Sequence, residues 1–195
     1  MQKRAGQEAK ESMNGVAFAF KNLDSVRLVD SLQRGELDVA LIRAGEAVPS
    51  LSTTGQWRYA YAPFVPKKLS RSAGELGVED LGRLPWALLE GRGHFRQFLE
   101  EAARQNGTEI QCALECSSYT QVAMAIQTGK YAGFLPEFAS GSAFASNAAV
   151  IQRPLVKALR YERSLTLAWR DATLRARPVL EKVIAGIKRE LGRRL

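Results

Sequence analysis

Seven side chains fall where an open α/β sheet would hold a small anion. Ser25 lies in the first turn of a predicted helix, His94 and Phe95 open a second, and Ser117, Ser118 and Thr120 open a third. Each helix start presents unpaired backbone N–H groups and partial positive charge, which suits a carboxylate or another anion. Arg43 stands just past the end of an apolar strand, where its planar guanidinium could take a carboxylate through two hydrogen bonds. Five of these residues also have a plainer role. Ser25 and Ser118 could simply cap their helices, Phe95 could belong to the core, and Arg43 could be a surface arginine. His94, the one histidine, has no paired carboxylate or nucleophile, so it reads as a loop residue rather than a catalyst.

Other chemistry is poorly supported. Cys112 and Cys116 lie four apart in a predicted strand. Four strand residues span about 13 Å, more than a disulfide tolerates. With a single histidine and no second cysteine pair, a metal site is not expected either. Structural or incidental thiols fit the burial habit of free cysteine. No nucleophile elbow, P-loop, dinucleotide fingerprint or metal-ligand cluster appears, so neither an enzyme nor a bound cofactor is expected.

The chain has 195 residues, 46% hydrophobic and 25% charged, enough for one large domain or two small lobes. No apolar run approaches the length of a membrane helix, and the polar start MQKRAGQEAKES carries no secretory h-region. The expectation is a cytoplasmic protein with no membrane partner. A net charge of +8 suggests an acidic partner, either nucleic acid or an anionic ligand. Much of that charge falls on the predicted last helix, at Arg175, Arg177, Lys182, Lys188, Arg189, Arg193 and Arg194. The last three suit the helix macrodipole, and no aromatics are interleaved, which favours a solvated basic face over a DNA-contacting one.

The elements that must position these residues alternate between strand and helix. Val16 to Phe20 reads as a strand, followed by N-cap residues and a helix to Arg34 with Val26, Val29 and Leu32 on one face. Gly35 supplies a left-handed cap, and Asp38 opens the apolar strand Val39–Ile42, which needs cover on both faces, as in a parallel sheet. A loop is expected from Ala44 to Gly55, then an aromatic strand from Trp57 to Val65, where Pro63 and Pro66 limit pairing. One short helix fits between Lys67 and Gly82. Trp86–Leu89, Ile110–Leu114 and Tyr131–Leu135 read as strands. Between them lie a helix with Phe95, Phe98, Leu99, Ala102 and Ala103 on one face, and a second opened by the capping box Ser118-x-x-Gln121 and carrying Val122, Ala125 and Ile126. A strand at Leu165–Trp169 precedes one long closing helix. The order predicts an α/β protein with mostly parallel sheets. Two lobes are expected, residues 1–66 with 155–195 and residues 67–154, joined by two crossing segments near Val65–Lys68 and Pro154–Leu159.

The passage SLQRGELDVALI resembles the helix, G-x-(L/I)-D and strand of the effector-binding domain in LysR-type transcriptional regulators. ALLEGRGHFRQFLEEAARQNG is similar to that family's strand, loop and helix ending in glycine. LECSSYTQVAMAIQTGKYAGFLPEFA resembles its helix followed by G-x-G-(I/F)-x-L-P, and LTLAWRDATLRARPVLEKVIAGIKREL its returning strand and terminal helix. The resemblance runs from about Val16 to the end. It implies two Rossmann-like lobes of periplasmic-binding-protein type II, with an anionic small-molecule effector held in the inter-lobe cleft and Ser25, Arg43 and Phe95 lining it. It also implies a homodimer through effector domains, and DNA contact only through a domain absent from this chain, with no sequence-specific DNA binding by the chain itself. The first effector-domain strand also looks absent: QEAKESMNG resembles the tail of the first helix and VAFAF the second strand, so the first lobe reads as N-terminally truncated. The peroxide-sensing branch carries a reactive cysteine where Phe95 stands, so thiol redox sensing is not implied. The alternative is a solute-binding protein of the same architecture.

Overall fold

Gly35 ends the first helix through a conformation that only glycine adopts without strain. After α1 (Ser25–Arg34) its φ is 74°, and the N–H groups of Gly35 and Glu36 return to the carbonyls of Leu32 and Ser31 at 3.0 and 2.9 Å. The structure, a computed structural model, describes residues 16–21, 23, 25–70, 74–91, 93–141 and 149–194. The chain divides into two units, Met1–Arg58 with Arg163–Leu195 and Tyr59–Glu162. Two strands, β2 (Ser52–Pro66) and β7 (Glu162–Trp169), carry the chain between them.

In the first unit, β1 (Val39–Arg43) pairs with β7, Val39 opposite Trp169 and Arg43 opposite Leu165. Alternate residues of β1 serve opposite faces. Ala40 and Ile42 pack with Leu28, Val29 and Leu32 of α1, while Val39 and Leu41 pack with Ile184, Ile187 and Leu191 of the terminal helix. The apolar run is therefore covered on both sides, but the pairing is antiparallel. An uninterrupted apolar strand reports how many faces are covered, not which way its neighbour runs.

Four further expectations are corrected in this unit. Val16–Phe20 forms no strand: no described strand pairs with it, and Phe20 is 92% exposed, its ring 6.1 Å from that of Phe18. Val26 is exposed, because the buried stripe of α1 runs through Leu28, Val29 and Leu32. The Ala44–Gly55 loop is shorter than expected, since β2 begins at Ser52. The closing segment is two helices, Asp171–Ala176 and Val179–Arg194. Arg177, at φ −136° and ψ 77°, breaks them apart, as the residue before a proline is pushed out of the α region. The segment QEAKESMNG and the cap residues Asn22 and Asp24 lie outside the described residues.

The second unit is built on a mixed sheet. Its strands are β3 (Trp86–Leu89), β4 (Cys112–Cys116), β5 (Ala132–Pro136), β6 (Val150–Gln152) and the later half of β2. β3 runs parallel to β4 and β5, whereas β2 runs antiparallel to β5 and β6. The expectation of mostly parallel pairing holds only around β3. A helix of five residues, α2 (Glu79–Arg83), precedes β3. The amphipathic helices then cover opposite faces. α3 (His94–Gln105) sets Phe95, Phe98, Leu99, Ala102 and Ala103 against Trp86, Leu88 and Phe134, and α4 (Tyr119–Gln127) sets Val122, Ala123, Ala125 and Ile126 against Phe64, Ala87 and Leu135. Gly133 lets α4 settle this closely: a Cβ there would lie 2.7 Å from Val122 Cγ1 and 2.8 Å from Ile126 Cδ1.

A buried ion pair ties α2 to the residue that follows β6. Asp80 is 2% and Arg153 3% exposed, with Arg153 Nη1 3.6 Å from Asp80 Oδ2. Arg153 also donates to the carbonyls of Gly74 (3.0 and 2.8 Å) and Glu75 (2.9 Å), while Asp80 accepts from Gly77 N–H and from Arg83. Removing one partner of a buried pair leaves the other charge in low dielectric, so Arg153→Ala should cost about 3–5 kcal/mol. Urea denaturation measures this, and a loss below about 1 kcal/mol, the range of an exposed pair, would contradict it.

Candidate functional site

Two parallel strands end at one sheet edge, and each passes straight into a helix. From Leu89 at the end of β3 the chain reaches α3 at His94, and from Cys116 at the end of β4 it reaches α4 at Tyr119. β2 runs antiparallel to β5 with Tyr61 opposite Pro136, so its tyrosines arrive at the same edge. The first turns of both helices converge on Tyr61, which is 5% exposed. The Phe95 ring stacks on it at 4.1 Å and 12°, and the Tyr119 ring lies 5.9 Å away. Tyr161 joins Phe95 at 5.3 Å and Phe98 at 5.0 Å, and Tyr59 meets Tyr61 at 5.5 Å and Phe138 at 5.7 Å. The result is an aromatic wall with polar tips: Tyr119 Oη donates to Tyr61 Oη at 2.7 Å, and Tyr59 Oη lies 3.4 Å from it. A phenol both donates and accepts, so this wall can meet either kind of polar group.

The start of α4 is internally bonded. Ser118 is the N-cap, its Oγ accepting Gln121 N–H at 3.3 Å. Gln121 Oε1 reaches back to Ser117 rather than to Ser118, accepting from the Ser117 N–H at 2.8 Å and hydroxyl at 3.0 Å. The capping box is thus displaced by one residue, and it holds both serines beside the aromatic wall. Arg96 fixes the other helix start, donating to Leu89 O at 3.3 Å, Glu115 at 2.5 Å and Glu100 at 2.8 Å. Burial opposes its charge, but the hydrogen bonds to Glu100 and Glu115 outweigh that and hold its pKa above the ordinary value.

The other expected site residues are distributed as follows. Phe95 joins the aromatic cluster, and its core role and its place at the site coincide. His94 faces an open depression of about 1440 Å³ along α3, with Arg96, Gln97 and Arg104. Thr120 is exposed in the first turn of α4. Ser25 and Arg43 belong to the first unit. Ser25 opens α1, with its side chain outside the described residues, and Arg43 Nη1 is paired with Glu46 Oε1 at 2.9 Å. Sequence reasoning missed Tyr59, Tyr61, Tyr119 and Tyr161, and named Gln121 only as the capping-box partner of Ser118. The alternation Tyr59-Ala60-Tyr61 was a usable signal, since residues two apart on a strand share a face. Both cysteines are free thiols, and among the described residues no cluster could hold a metal ion. No described helix is long and apolar enough to cross a membrane.

Residues 7–191 match the family model of the LysR substrate binding domain. No match was found among curated proteins. Among solved structures, the reduced form of the OxyR regulatory domain from Pseudomonas aeruginosa aligns over 95% of this chain and 89% of its own, at 20% identity and a TM-score of 0.72. The reduced form of OxyR from N. meningitidis aligns over 96% and 88%, at 19% identity and a TM-score of 0.68. HinK, a LysR family transcriptional regulator from Pseudomonas aeruginosa, aligns over 97% of this chain and 65% of its own, at 16% identity and a TM-score of 0.69. These likenesses establish a shared fold, mixed α/β.

Two measurements test the geometry. Tyr119→Phe and Tyr61→Phe should each destabilise by about 1–2 kcal/mol, with a coupling near 1 kcal/mol in the double variant; additive losses would mean the 2.7 Å bond contributes nothing. The two thiols should also differ. Cys116 is 4% exposed, and burial first, then the neighbouring Cys112, pushes its pKa up, whereas Cys112 is half-buried. Because the thiolate is the nucleophile, a thiol reagent at pH 8 should modify Cys112 rapidly and Cys116 only after unfolding. Equal rates in the folded protein would refute this.

Proposed function

The chain belongs to the LysR substrate-binding-domain family, and we propose that it senses a small anionic metabolite at the sheet edge where α3 and α4 begin. The observation that carries this reading is the convergence of both helix starts on Tyr61. Helix N-termini supply partial positive charge, and ligands of open α/β sheets lie beyond the carboxyl ends of the strands. The ligand's planar or apolar part lies against the Phe95, Tyr59 and Tyr119 rings. Its anionic group takes the Ser117 N–H and the hydroxyls of Ser117, Ser118 and Thr120. Ser25 and Arg43 belong to the first unit and are given no part in this site. His94, on the outer side of α3, has no part in binding.

Binding shifts the population of the chain's conformers, and in a full-length regulator that shift controls transcription. On this reading the bound molecule leaves unchanged.

A thermal-shift screen against small carboxylates, aromatic acids and amino acids tests the assignment. A ligand at a hundredfold over its Kd adds about 2.7 kcal/mol, a rise of roughly 2–4 °C for a chain this size. That rise should disappear in Ser117→Ala/Ser118→Ala and shrink in Tyr119→Phe. A hit indifferent to these variants would move the site elsewhere, and conversion of the ligand to product would replace sensing with catalysis.

A further inference from the structure

The charge of this chain is segregated. The first unit carries 17 Lys and Arg against 10 Asp and Glu, and the second 11 against 10, so nearly all of the +8 resides in the first. Residues 163–195 alone hold nine basic side chains and three acidic ones. We propose that the outward face of the last two helices, α5 (Asp171–Ala176) and α6 (Val179–Arg194), binds the phosphate backbone of duplex DNA without regard to sequence, through Arg175, Lys182 and Arg189.

Burial fixes which face of α6 is available. Ile184, Ile187 and Leu191 are taken up by the core with Trp57 and Leu167, which leaves Lys182, Ala185, Lys188, Arg189, Gly192 and Arg193 outward. Several basic groups nearby are already committed. Arg177 is paired with Asp38 at 2.7 Å, Arg193 with Glu190 at 3.2 Å, and Lys188 Nζ donates to Thr54 Oγ1 at 3.2 Å. Arg175, Lys182 and Arg189 are exposed and have no ion-pair or hydrogen-bond partner among the described residues. Lys182 and Arg189 are seven residues apart, which sets them about 10 Å apart along one side of the helix.

The chemistry of the face selects the partner. It carries no aromatic side chain, and Val179 at the start of α6, 46% exposed, is too small and too isolated to serve as the anchor a protein partner would bury. The apolar stripe of α6 is spent inside the unit, so the helix cannot lay it into a lipid surface. Without exposed rings there is nothing to stack on unpaired bases. A rigid duplex with regularly spaced phosphates asks only for exposed cations at fixed spacing, and cation–phosphate contact releases counterions.

The test is titration of a labelled random-sequence duplex with the 195-residue chain over a range of KCl concentrations. Two charge-matched variants are compared: Arg175→Gln/Lys182→Gln/Arg189→Gln, and the control Lys67→Gln/Lys130→Gln/Lys157→Gln on exposed sites of the second unit. Both lose three charges. The first should weaken binding about tenfold or more at low salt and flatten the log Kd–log salt slope by roughly 2–3, at about 0.9 per phosphate contact. The control should change affinity by less than about twofold, and unrelated duplex sequences should bind alike. Equal weakening in both variants would reduce the effect to net charge and overturn the proposal. So would absence of binding at low salt, or tighter binding to polyglutamate or to phosphatidylserine vesicles than to DNA. Circular dichroism melting of all three proteins separates a lost contact from a lost fold.

Discussion

The parallel pairing of β3 with β4 decides where everything else in the second unit stands. Parallel strands end at the same edge of a sheet, and here each is followed almost at once by a helix, so two helix N-termini share that edge. β5 runs parallel to β3, and β2 runs antiparallel to β5, which brings the tyrosines of β2 to the edge where the parallel strands end. Gly133 completes the arrangement. Its missing side chain admits Val122 and Ile126, which sets how low α4 lies on the sheet and hence how near Tyr119 comes to Tyr61. A larger residue there would lift α4 off the sheet and open the hydroxyl bond some distance away.

Elements that carry their own amphipathic stripe were legible in the sequence. All five apolar residues expected on one side of α3 pack into the core, and Ser118 caps α4 as its position implies. The errors concern information that a local pattern does not contain. Strand direction depends on a distant partner, so β1 looked like a parallel strand and proved antiparallel. Val16–Phe20 has the composition of a strand, but composition cannot provide a neighbour to bond with, and none is described. The single long closing helix was an avoidable error, because Pro178 already disfavours a helical Arg177.

The candidate site divides along the same line. Phe95, Ser117, Ser118 and Thr120 could be named from helix starts alone, since a helix start is a local event. Tyr61 could not, because its place depends on the register of β2 against β5, a pairing across more than seventy residues. Its importance emerges only when three separate segments meet: one ring from β2, one from the first turn of α3 and one from the first turn of α4.

Nearly every polar group at this edge already has an internal partner, and the exposure of that partner decides whether a ligand could replace it. Gln121 is exposed, so if a carboxylate took over the Ser117 N–H and hydroxyl, the released Gln121 amide would turn to water at little cost. Tyr61 is 5% exposed, and breaking its bond from Tyr119 would cost a buried hydroxyl its 2.7 Å hydrogen bond, with no solvent at hand to replace it. In the proposed site these two groups therefore have different duties. The serine–glutamine cap is the exchangeable part that meets an anion, and the tyrosine pair is the fixed floor against which the ligand's shape is read. A molecule with the right charge and a poor fit to the wall would gain the exchange and lose the floor, so ring contact, not charge, should set the discrimination among anions.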